Sequence, residues 1–204
     1  MRTVLPALSL LLAIAGPAAA QSTATVTTSG SGQRVLVDQS RSQSTSATIE
    51  QIGTNGGVVA TQDGRGATLS MALRGNDQEH DVAQTSAGDA LTAVNSLGDR
   101  NSSSILQDVA ALGRGEITLL QTGSDNRAEL IQATDAAGYN SMSLNQLGND
   151  NLARLTQRGT ANTIDLTQNG SGLQADITQQ GVGLSFSMTQ TGANTPIVIT
   201  QTRP

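Results

Sequence analysis

Gln146-Leu147-Gly148-Asn149-Asp150-Asn151-Leu152-Ala153-Arg154-Leu155-Thr156-Gln157 is the stretch that decides how this chain folds. Residues 151, 153, 155 and 157 alternate with 152, 154 and 156, and alternation of period two marks a strand. The first set places two apolar slots, Ala153 and Leu155, between the amides Asn151 and Gln157. The second set is mostly polar and suits solvent. Gly148 with Asn149 and Asp150 supplies the positive φ and the side-chain caps of a tight turn. The unit is therefore a short strand followed by a short turn.

The unit recurs. Gln121, Gln132, Gln146, Gln157, Gln168, Gln179, Gln190 and Gln201 are separated by 11 residues in six of seven intervals, the exception being the 14 from Gln132 to Gln146. Gly123, Gly148, Gly159, Gly170, Gly181 and Gly192 follow two positions after a Gln, and Asn126, Asn151 and Asn162 five positions after. Looser copies run back through Gln107, Gln84, Gln62, Gln51 and Gln39, with Gly53 and Gly64 as turn glycines. Leu73 and Asn95 stand in the Gln slot of two units, the second of which is read with Leu91 and Ala93 facing inward. This reading gives 15 strand units, 13 of them ending in Gln. A fixed short period means one unit stacked on itself.

An 11-residue unit cannot bury its apolar face alone. Two consecutive strands folded toward each other make a coil of about 22 residues, and stacked coils make an all-β, two-sheet parallel β-solenoid with amyloid-like spacing of about 4.8 Å. Identical slots then lie above one another. The Gln residues and Asn126, Asn140, Asn151 and Asn162 become inward ladders, amide bonded to amide, which removes the cost of burying them. Ile49, Leu119, Leu130, Leu144, Leu155, Ile164, Leu166, Ile177, Phe186, Met188, Ile197 and Ile199 are the expected core. The 14-residue intervals, Gln107 to Gln121 and Gln132 to Gln146, follow alternate strands, so both insertions, including Leu112 to Arg114 and Gly138-Tyr139, emerge on one edge.

Residues 1–20 read as a secretory signal peptide: Arg2, an apolar run from Val4 to Ile14, then Ala18-Ala19-Ala20 as a small-residue cleavage site. Residues 21–32 read as a short lead-in and 33–204 as the repeat body, weaker over 33–107 and strong over 121–201. No later segment is apolar enough to span a membrane. Loss of Arg2 takes the formal charge from −5 to −6, which disfavours a nucleic-acid partner. The chain has no Cys, no Trp, one Tyr and one Phe. An exported protein of this size with no disulfides and only two aromatics needs either disorder or a narrow interior of small side chains, and the beat selects the second.

No catalytic constellation is visible, and no metal or cofactor site is expected. His80 is the only His, so no His-based triad partner exists; it falls in an inward slot of a weak repeat, read as locally misregistered or partly exposed. Asp77, Glu79 and Asp81 around it read as a solvated acidic patch. Thr61, Thr156, Thr167, Thr178, Thr189 and Thr200 share an outward slot, and an ordered Thr array on a monomeric solenoid is the alternative of another class, a surface for ice or polysaccharide. Arg154, Asp165, Asp176 and Ser187 beside them break that array. Pro196, in the last strand, removes one N–H there.

The motif residues resemble the curlin repeat of bacterial curli proteins, Gln-x-Gly-x-x-Asn-x-Ala-x-x-x-Gln. It stands intact from Gln121 through Gly123, Asn126 and Ala128 to Gln132, and again from Gln146 through Gly148, Asn151 and Ala153 to Gln157; Gln157 to Gln168 carries Ile164 in the Ala slot. The resemblance implies a non-enzymatic exported subunit that polymerises into extracellular amyloid fibres of biofilm and surface adhesion, at the surface of a Gram-negative cell. As partners it implies copies of itself, a second curli subunit and an outer-membrane secretion pore. The minor, nucleating subunit of such fibres is the alternative within the family. The chain departs from the family in its larger number of units and in having no Gly/Asn-rich leader before the first repeat.

Overall fold

A computed structural model describes residues 9–13, 21–135 and 137–203. Most of residues 1–20, the expected signal peptide, lies outside the described residues. Every described element is a strand, and all pairings are parallel. The first sheet runs, in spatial order, β1 (Ser9–Ala13), β3 (Arg34–Asp38), β6 (Gly57–Arg65), β8 (Glu79–Ser86), β10 (Ser102–Val109), β12 (Arg127–Thr134), β14 (Leu152–Thr160), β16 (Gln174–Val182) and β18 (Pro196–Thr202), with the two-residue β4 (Ser42–Gln43) also on β6. The second runs β2 (Thr23–Ser31), β5 (Ser46–Thr54), β7 (Ala67–Arg74), β9 (Asp89–Leu97), β11 (Arg114–Thr122), β13 (Tyr139–Asn149), β15 (Thr163–Ser171) and β17 (Ser185–Ala193). Strands alternate between sheets along the chain, so each coil contributes one to each. The result is a two-sheet β-solenoid of about 8 turns.

The step between stacked residues is 22 for Gln146 to Gln168, 23 for Gln84 to Gln107 and 25 for Gln107 to Gln132. The 25-residue coils absorb their extra residues at one corner. Ala110–Gly113 joins β10 to β11, and the corner after β12 lies directly above it, Arg114 N donating to the Gly138 carbonyl at 2.7 Å. Leu112 protrudes there at 87 % exposure with φ of 65°, and Tyr139 donates its hydroxyl to Glu116 at 3.0 Å under the Arg114 guanidinium.

Inward side chains of both sheets make one continuous dry core from Val35 to Ile177. Four expected core members differ. Phe186, Met188, Ile197 and Ile199 are only partly buried, because no further coil covers them among the described residues. Within residues 21–32, read as a short lead-in, Thr23–Ser31 forms β2, with Ala24 and Val26 packed against the core and Thr28 paired with Gln51. That strand adds a sixteenth to the solenoid. The unit at 89–97 is shifted by one residue. Thr92, Val94 and Ser96 face inward, while Asn95 is exposed and Leu91 and Ala93 half-exposed. Ala90 and Val94 supply the apolar groups of the inward face, and a one-residue slip exchanges the two faces of a strand.

Candidate functional site

Gln39, Gln62, Gln84, Gln107, Gln132, Gln157, Gln179 and Gln201 form one column through the first sheet. Each amide donates Nε2 to Oε1 of the next: Gln39 to Gln62 at 2.6 Å, Gln62 to Gln84 at 2.8 Å, Gln84 to Gln107, Gln107 to Gln132 and Gln132 to Gln157 at 3.0 Å, Gln157 to Gln179 at 3.1 Å and Gln179 to Gln201 at 2.7 Å. The second Nε2 hydrogen reaches a strand carbonyl of the opposite sheet, as from Gln132 to Glu116 and from Gln157 to Ser141, both at 3.1 Å. The column therefore ties coil to coil and sheet to sheet. It is also polar: donors point toward the C-terminal end. At the other end the buried Oε1 of Gln39 has no partner.

The second sheet carries half such a column. Gln121, Gln146, Gln168 and Gln190 are linked at 3.0, 2.9 and 3.0 Å. Below Gln121 the slot holds Ser96, then Leu73, then Gln51, then Thr28. A serine hydroxyl is too short to reach, so Gln121 Oε1 and Ser96 Oγ are both unpaired. Gln51, isolated between Thr28 and Leu73, is 3 % exposed with neither Nε2 nor Oε1 bonded.

The Asn residues do something other than ladder. Asn126 Oδ1 accepts from the backbone N–H of Asn151, Asn151 Oδ1 from that of Leu173, Asn140 Oδ1 from Asn162 and Asn162 Oδ1 from Leu184, at 2.9–3.2 Å. Their Nδ2 groups donate to Gly148, Gly170, Gly159 and Gly181 carbonyls. Only Asn126 and Asn101 meet amide to amide, at 3.2 Å. The short Asn side chain thus closes each corner onto the coil above, where the longer Gln spans to its own kind. Gln33 and Gln78 take the same corner position, donating to Gly53 and Gly98 carbonyls. Their signal was their place five residues after the degenerate slots of Thr28 and Leu73.

The turn glycines have a common cause. Gly53, Gly64, Gly123, Gly148, Gly159, Gly170, Gly181 and Gly192 all hold positive φ. At Gly148, with φ of 113°, an added Cβ would overlap the Gly170 carbonyl oxygen one coil above. At Gly192 nothing lies within 4 Å, because no coil lies above it among the described residues.

His80 is not partly exposed. It is 1 % exposed, between Val58 and Ser103 in its column, with Nδ1 2.8 Å from Ser103 Oγ and Nε2 3.4 Å from Gln78 Oε1. Burial pushes its pKa down to about 4. Asp77, Glu79 and Asp81 are exposed around it, and no metal-holding group of acidic, His or Cys residues occurs among the described residues. The outward Thr residues divide between sheets, Thr156, Thr178 and Thr200 on one and Thr167 and Thr189 on the other.

The four ion pairs among the described residues, Arg41–Asp63, Arg74–Glu50, Arg100–Asp125 and Arg154–Glu129, also join neighbouring coils. Arg100 meets Asp125 through Nε at 2.7 Å and NH2 at 2.6 Å, and that contact holds the Asp125 carboxyl below its usual range. Exposed pairs of this kind contribute little stability, but they favour one register.

The solenoid is thus a polar stack of in-register amide rungs with glycine corners. Residues 148–181 and 159–192 each match the curlin associated repeat. Residues 148–192 are therefore a curlin-repeat segment. No curated protein and no solved structure matches it. The two matched curlin repeats fall on β14 to β17, where the Gln columns of both sheets are complete. No helix among the described residues is long and apolar enough to cross a membrane.

Proposed function

We propose that this chain is a secreted structural subunit that polymerises into extracellular curli-like fibres of the biofilm matrix and cell surface, after removal of residues 1–20. The observation that carries this reading is the state of the last coil. Phe186, Met188, Ile197 and Ile199 stay half-covered, and β17 and β18 have no strand beyond them among the described residues. An unpaired edge of this kind templates another chain, and its Gln-rich strands are of the type that stacks in cross-β order. The ladder Gln and Asn residues and the turn glycines are its proposed polymer-forming elements. A minor, nucleating subunit of the same fibres is the second form of this proposal, and a second curli subunit and a secretion pore are its proposed partners. An ice- or polysaccharide-binding Thr face finds less support, since its residues divide between the two sheets. Incubating the exported chain with thioflavin, electron microscopy and fibre diffraction tests the reading. Fibres with a reflection at about 4.7–4.8 Å are expected; a chain that stays monomeric for days overturns it.

A further inference from the structure

The two ends of the solenoid are not equivalent, and four observations match them to each other. The first-sheet ladder begins with an unpaired, buried acceptor, Gln39 Oε1, and ends with a donor, Gln201 Nε2, whose one contact is a 3.5 Å approach to the Ser185 carbonyl. The inward columns carry smaller groups at the first coil than at the last. Ala24 and Val26 stand in the slots that end in Phe186 and Met188, and Val35 and Val37 in those that end in Ile197 and Ile199. The outward column from Leu36 to Val198 is polar through Asp81, Ser104, Glu129, Arg154 and Asp176, and apolar at its two ends. Finally, the described solenoid opens on the second sheet with β2 and closes on the first with β18, so a copy placed beyond the last coil continues both sheets without a gap.

We propose that a second copy of this chain docks its first coil on the last coil in one register, β2 on β17 and β3 on β18, with Gln201 Nε2 donating to Gln39 Oε1 of the incoming copy. The large Phe186 and Met188 then meet the small Ala24 and Val26, and Val198 meets Leu36. The edge of β3 already accepts a parallel strand: Ser9–Ala13 pairs with it from Arg34 to Asp38. That strand belongs to the segment expected to be removed on export, and it holds the place the next copy would take.

Pro196 sets the strength of this seam. At its position in every preceding coil a backbone N–H donates to the coil above: Arg34 to Gly56, Gly57 to Gln78, Glu79 to Asn101, Ser102 to Asn126, Arg127 to Asn151, Leu152 to Leu173 and Gln174 to Thr195. Pro196 ends the series and has no N–H, so the absent donor is the one that would face the incoming Gln33 carbonyl. The junction is one backbone bond short of every internal step.

The inference rests on polymerisation, and the test separates the two. Failure of the unsubstituted exported chain to form fibres overturns the polymerisation reading itself. Given fibres, Gln201→Glu keeps the acceptor for Gln179 but sets oxygen against oxygen at the junction. Elongation should slow about tenfold or more, the cost of one buried unmet contact, with the monomer's thermal midpoint unchanged. Pro196→Thr should speed elongation several-fold. Because the chain has no Cys, Leu36→Cys with Val198→Cys should give disulfide-linked multimers within fibres, at a strand spacing of about 4.8 Å that suits the bond. Val198→Cys alone should give none. Fibres in which Gln201→Glu elongates normally, the double variant does not cross-link, or Val198→Cys alone dimerises overturn the proposed junction.

Discussion

Gln132 sits between Gln107 and Gln157 in an unbroken column, whereas Gln51 sits between Thr28 and Leu73 with both polar atoms unpaired. The same substitution should therefore act in opposite directions at the two sites. Gln132→Leu strands the acceptor of Gln157 and weakens the hold on Gln107, at a cost of roughly 2–4 kcal/mol; Gln51→Leu removes two unmet groups and should stabilise by about 1–3 kcal/mol. Denaturant unfolding of the soluble chain measures both. His80 adds a pH response. Its folded pKa of about 4 lies below the ordinary value of 6.5, so the fold prefers the neutral ring. That contribution is complete above about pH 6.5 and is lost as pH falls toward 4, amounting to about 3 kcal/mol by linkage. The thermal midpoint should drop across that window in the parent chain, and His80→Val should remove the part of the drop that belongs to the imidazole. A parent midpoint flat from pH 7 to 4 would refute the assignment.

At the scale of the strand and its corner, conformation and stacking can be separated. Gly148 and Gly192 have nearly the same φ, 113° and 108°, but only Gly148 lies beneath another carbonyl. Ala at either position bears the backbone strain of about 1 kcal/mol or more; Ala at 148 must also displace the Gly170 corner. Heat denaturation of the monomer should rank Gly148→Ala as clearly worse, and equal losses would mean that corner contact contributes nothing. The strands from Gln121 onward are legible from sequence because their Gln, Gly and Asn recur in phase. Three things were not. β2 hides because Thr28 replaces Gln, leaving no end marker to count from. The unit at 89–97 reads out of phase because Asn95 resembles an amide rung and Ser96 does not, though Ser96 occupies the slot. The Asn positions were visible while their bonding was not, since side-chain length against corner geometry decides whether an amide meets an amide or a backbone N–H.

At the scale of the whole molecule the two sheets are unequally reinforced. One amide column runs from Gln39 to Gln201, while the other is complete only from Gln121. The weaker quarter lies around Leu73 and Ser96, where Thr92 partly substitutes by bonding Gln84 and Gln107 at 3.1 and 3.0 Å. The three ladder gaps are sites of substitution within one continuous body, because the apolar core passes through them. Counted from β2 on one sheet to β18 on the other, the described solenoid makes about 8 turns. At about 4.8 Å per turn, copies joined as proposed would repeat every 38 Å or so, a translation with no half-turn left over. For a chain of 20.8 kDa before loss of residues 1–20, that is roughly 5 kDa per nanometre of filament. Scanning transmission microscopy can weigh this directly: one such linear density, or an integer multiple of it for bundled filaments, makes the subunit its own ruler.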